Sequence, residues 1–83
     1  MVNIVNENMG CMNLLIFKTD IETRRKVKKV ATVFDRQSII LDWSVDTDDI
    51  DNVLRIEATD GTEESAIINL VNKYGFSCEV LED

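Results

Sequence analysis

The apolar residues of this chain switch between two spacings, and the order of the switches limits the fold more than any other feature. Leu14-Leu15-Ile16-Phe17 is continuously apolar, the pattern of a strand buried on both faces and therefore central in its sheet. Val27, Val30, Ala31 and Phe34 then fall at i, i+3, i+4 and i+7, the single apolar stripe of a helix. Ile39, Leu41, Trp43 and Val45 alternate with Ile40, Asp42, Ser44 and Asp46. Leu54, Ile56 and Ala58 alternate with Val53, Arg55 and Glu57, so two strands are predicted in succession. Ala66, Ile67, Leu70, Val71 and Tyr74 return to helical spacing, and Phe76, Cys78 and Val80 alternate with Ser77, Glu79 and Leu81 in a last strand.

Strand, helix, strand, strand, helix, strand is the split βαβ unit repeated twice. The expected fold is α+β, a ferredoxin-like βαββαβ sandwich. Right-handed crossovers place both helices on one face of a four-stranded antiparallel sheet ordered 4-1-3-2. Thr19 stands three residues before Glu22, a capping-box spacing that predicts a first helix over residues 22–35. Asp60-Gly61-Thr62 offers N-cap oxygens to the second helix, and Gly75 sits where a left-handed C-cap is wanted. With both helices on one face, Ile40 and one of two strand-one pairs (Leu14 with Ile16, or Leu15 with Phe17) are expected on the uncovered face. Trp43 should share the core with Ile39, Leu41 and Val45.

Eighty-three residues hold one core. Residues 12–83 are expected to form that domain and residues 1–11 a flexible extension, with Gly10 arguing against a continuous element. No apolar run approaches the roughly 18 residues of a membrane span, and the start lacks the basic and apolar regions of a signal peptide. Cytoplasm is the expected compartment, and there Cys11 and Cys78 stay reduced.

Charge narrows the partners. The net charge is −7, yet Arg24, Arg25, Lys26, Lys28, Lys29 and Arg36 place six of nine basic residues within one short stretch. From Gln37 onward the acids Asp42 to Asp83 outnumber Arg55 and Lys73. Nucleic-acid affinity rests on many cationic contacts, so a net-acidic chain with one basic segment is not read as a nucleic-acid binder. Docking to a protein, or weak self-association, suits the asymmetry, with Arg24, Arg25, Lys28 and Lys29 as the contact residues. A solvated helix face is the plainer reading of the same residues.

The element order, the short loop after the first strand and the closing Ile67-Ile68-Asn69-Leu70-Val71-Asn72-Lys73-Tyr74-Gly75-Phe76 resemble the heavy-metal-associated domain. The similarity covers about residues 13–82. It also extends to short bacterial proteins that keep this fold without cysteines in the first loop. In the family a Cys-x-x-Cys pair in that loop holds Cu(I) or Zn(II) through soft thiolates. Here the loop reads Lys18-Thr19-Asp20-Ile21-Glu22-Thr23-Arg24, so the resemblance implies the scaffold and carries over no metal ligand. A non-enzymatic interaction or regulatory module without cofactor is the expected function. A metal-binding or copper-chaperone-like role is the alternative, and Cys78 or Cys11 would then take part.

Other chemistries fit less well. Asp46, Asp48 and Glu57 match positions 1, 3 and 12 of a calcium loop, but Ile50 and Asp51 occupy the next ligand and the glycine positions. Cys78 is a candidate reactive thiol, against the reading of a small buried hydrophobe between Phe76 and Val80. Acylphosphatase-like chemistry needs a phosphate-cradling loop that is missing, and the chain has no His as general base, so no catalysis is expected.

Overall fold

A computed structural model describes residues 12–82. Six elements follow one another: β1 (Met12–Thr19), α1 (Arg24–Phe34), β2 (Ile40–Asp46), β3 (Val53–Thr59), α2 (Glu64–Lys73) and β4 (Cys78–Val80). The strands form one open sheet in the order β2-β3-β1-β4, with every neighbouring pair antiparallel. That is the 4-1-3-2 order read from the other edge, and it makes β1 an inner strand.

Register decides which residues share a face. Phe17 lies opposite Leu54 and Leu15 opposite Ile56, while Ile56 and Leu54 lie opposite Trp43 and Val45 of β2. This side of the sheet meets Val30, Val33 and Phe34 of α1 and Ile67 and Val71 of α2 in one buried cluster. Both helices therefore cover the same face. Leu14, Ile16, Arg55 and Glu57 take the other, since successive side chains of a strand point to opposite sides.

β2 corrects the expected phase. Ile40 pairs with Ala58 and Asp42 with Glu57, so Leu41 is the extra residue of a β-bulge. Ile40 is consequently buried in the core, and Leu41, expected inside, is 54% exposed. The bulge is what lets both Ile40 and Trp43 face the helices although three positions separate them. Trp43 packs edge-to-face on Phe34 with ring centroids 5.2 Å apart, and its Nε1 donates to Asp35 Oδ1 at 3.1 Å. On an edge strand the bulge, together with Asp42 and Asp46, also discourages pairing with another chain.

The helix starts differ from expectation too. Thr19 does not cap α1, because it still belongs to β1, opposite Cys78. Thr23 takes that part, its hydroxyl accepting from the Lys26 N–H at 3.2 Å, and α1 opens at Arg24. α2 has Glu63 at its N-cap with no side-chain capping bond. The Thr62 hydroxyl is occupied instead by that of Thr59, at 2.8 Å. At the other end Gly75 adopts φ +93° as predicted. Gly75 N–H donates to Asn72 O and Phe76 N–H to Val71 O, a Schellman closure. Among the described residues no helix is long and apolar enough to cross a membrane.

Candidate functional site

Arg24 and Arg25 open α1, and Lys28 and Lys29 stand one turn further on; all four are exposed. Arg24 with Lys28 and Arg25 with Lys29 are i, i+4 neighbours, so like charges lie side by side. No acid falls in the first turn. The backbone N–H groups at this end carry partial positive charge, which makes it the unfavourable end for cations. Lys26 is the exception in its surroundings. Its Nζ lies 2.8 Å from Glu22 Oε1, and that hydrogen bond holds the ammonium above its usual pKa. The other ion pair among the described residues joins Lys18 and Asp51 at 4.0 Å. Arg24, Arg25, Lys28 and Lys29 have no carboxylate within that reach among the described residues.

Lys29 has one further neighbour. Its Nζ stands 5.4 Å from the centroid of the Phe76 ring, a cation–π contact between α1 and the approach to β4. Nothing in the spacing of the sequence couples these two residues, which are brought together by the antiparallel pairing of β1 with β4. Phe76 is a core residue, 8% exposed, whose ring underlies the basic face at Lys29, a contact the sequence does not reveal.

The β1–α1 loop, residues 20–23, is held from three sides. Asp20 Oδ1 accepts from the Ser77 N–H at 2.9 Å. Thr19 Oγ1 accepts from the Ile21 N–H at 3.1 Å, and Ile21 itself is fully buried. The loop is therefore filled by an aliphatic plug, Ile21, and a carboxylate bonded to backbone, Asp20. Among the described residues no group of three or more His, Cys, Asp or Glu is placed to hold a metal ion.

Cys78 lies apart from the basic face. It is 8% exposed in the helix-facing core, and burial, reinforced by Glu79, pushes its thiol up to about 12. At neutral pH it is a protonated, shielded thiol, the state least suited to nucleophilic attack or metal ligation. Cys11 lies outside the described residues.

At the acidic β2–β3 connection two of the carboxylates, those of Asp46 and Asp49, bond nearby backbone. Asp46 Oδ1 accepts from Asp48 N–H at 3.1 Å and Asp49 Oδ1 from Asp51 N–H at 2.8 Å. These are turn-forming bonds, and Ile50 at the tip is 92% exposed. Comparison with known families, curated proteins and solved structures finds no match.

Proposed function

We propose that this chain is a non-enzymatic interaction module on a ferredoxin-like scaffold, resembling the heavy-metal-associated domain without its metal loop, and that α1 docks an acidic protein surface. The observation that carries the reading is the state of Arg24, Arg25, Lys28 and Lys29: exposed, without an ion-pair partner among the described residues, paired with like charge at i, i+4, and with Arg24 and Arg25 at the positive end of their own helix. Such an arrangement weakens the isolated helix. An acidic partner reverses the sign of both effects. The element order and the sheet order β2-β3-β1-β4 support the scaffold assignment.

Exposed charges contribute little each, at most about 1 kcal/mol per pair, and they are screened by salt. Binding of this kind is weak, fast and salt-sensitive. The test follows amide chemical shifts while an Asp/Glu-rich peptide is added at low salt and again at half-molar salt. Shifts confined to the first two turns of α1 and abolished by salt are expected. An unperturbed α1 at low salt overturns the reading and leaves a solvated face.

A further inference from the structure

The acidic hairpin and the basic start of α1 stand at the same end of the molecule. Thr19 closes β1, and its N–H donates to Asp51 O in the β2–β3 connection at 3.0 Å. Residues 20–23 lead from that point to Arg24, the first residue of α1. Yet among the described residues no ion pair joins the hairpin to α1, and Asp51 pairs instead with Lys18 of β1 at 4.0 Å. Two patches of opposite charge lie at one end of the chain and do not cancel each other.

Each patch combines charge with apolar surface. At the hairpin tip Ile50 is 92% exposed, with Asp48, Asp49 and Asp51 flanking it in the chain. The tip is braced, since Asn52 N–H donates to Asp49 O at 2.9 Å beside the two carboxylate–backbone bonds. Little conformational freedom is left to lose on docking. On α1, half-buried Val27 and Ala31 lie one turn apart, with exposed Arg24 and Lys28 beside them at three-residue spacing. A single exposed isoleucine means little by itself. An isoleucine flanked by carboxylates and a small apolar strip edged by cations match in both respects.

Resting on the docking reading of α1, we infer that its acidic partner is the β2–β3 hairpin of a second copy of this chain. Tip and helix share one end, so two copies meeting about a two-fold axis each lay a tip against the other's α1. Two turn tips bury less than the roughly 1,200 Å² of a standard interface, so the pair is weak and exchanges fast. Each chain carries −7, and at ~0.1 M salt a Debye length of about 10 Å screens that overall repulsion more than charges in contact.

Amide shifts of the full chain at that salt, followed over a dilution series, test the inference. Asp48, Ile50 and the first two turns of α1 are expected to shift together as concentration rises, with one dissociation constant. Ile50→Ser should weaken this about tenfold, while an Asp/Glu-rich peptide still moves α1 as before. Lys28→Glu and Asp48→Lys should each weaken self-association about tenfold. An equimolar mixture of these two variants should restore it, because both contacts of the mixed pair again join opposite charges. A mixture no stronger than its components overturns the inference, as do concentration-dependent shifts confined to other surfaces. Peptide-induced shifts in α1 without any dependence on protein concentration also overturn it, and leave the docking reading standing with another protein as partner. An α1 unmoved in both experiments removes the docking reading and this inference together.

Discussion

Thr19 and Asn52 hold each other across the end of the sheet. The Thr19 hydroxyl donates to the Asn52 carbonyl at 2.7 Å, and the Asn52 side-chain amide donates back to the Thr19 carbonyl at 3.4 Å. The same hydroxyl accepts from the Ile21 N–H, and Asn52 takes φ +45°, a conformation that Asn tolerates better than most residues. One buried threonine thus joins the acidic hairpin, the end of β1 and the loop that leads into α1.

Thr19→Val keeps the shape and removes the hydroxyl. The Asn52 carbonyl and the Ile21 N–H lose their partner in a buried setting, which costs about 1–3 kcal/mol. Urea denaturation should show that loss with an unchanged slope. Thr19→Ser, which restores the hydroxyl, should recover most of it. A Val variant as stable as the parent means the bonds are replaced by water.

The bulge in β2 gives a second comparison. Ile40 is in the core and Leu41 outside it. Ile40→Ala should cost ~2–5 kcal/mol, whereas Leu41→Ala should stay within about 0.5 kcal/mol. Equal losses, or the reverse order, would show that the bulge is misplaced.

That pair of residues also marks where the sequence stops being legible. Period-two alternation locates β2 but assumes an unbroken phase, and a bulge inverts the phase with no composition signal. The same holds for Thr19. Its spacing to Glu22 satisfies the capping box, yet pairing with Cys78 claims its backbone and Asn52 its side chain. Ile21 was legible as apolar but not as the plug of the loop, because one residue has no period. Signals that are local by nature survived intact: the stripe Val27, Val30, Phe34 and the left-handed Gly75. The exposure of Arg24, Arg25, Lys28 and Lys29 followed from that stripe, while the place of Phe76 beneath Lys29 needed the sheet.

Cys78 predicts a dependence on alkaline pH. A thiol titrates near 8.5 when unfolded and is raised to about 12 here. Its contribution is complete below the unfolded value and declines as pH rises toward the folded one, because the unfolded chain releases the proton first. Stability should therefore fall by roughly 1–3 kcal/mol between pH 8 and pH 10.5, at a limiting slope near 1.4 kcal/mol per unit. Other groups titrate in that range, so Cys78→Ala is the reference. Guanidinium melts of the two proteins should converge as pH rises. Parallel curves would place the thiol in contact with water.

Copper(I) binding needs two thiolates that converge, and Cys78 is protonated and enclosed. Competition with a chromophoric chelator is expected to show no 1:1 site tighter than about a nanomolar, roughly 12 kcal/mol. A tight site lost on Cys78→Ser would reverse this and favour metal traffic over docking.

Arg25→Glu separates the two roles of α1. Arg25 is the second residue of the helix, where the backbone presents positive charge. A carboxylate there interacts favourably with the helix end, and its place four residues before Lys29 turns a repulsive pair into an attractive one. The two changes together should raise stability by roughly 0.5–1 kcal/mol at low salt, read from thermal melts. The same substitution removes one positive charge from the docking face and adds a negative one, so affinity for an acidic peptide should drop about tenfold or more at low salt, with little difference at half-molar salt. Greater stability with weaker binding is the result expected of a surface held against the preference of its own helix. If Arg25→Glu lowers stability, Arg25 is supporting the fold, and its exposure without an ion-pair partner among the described residues ceases to be an argument for docking.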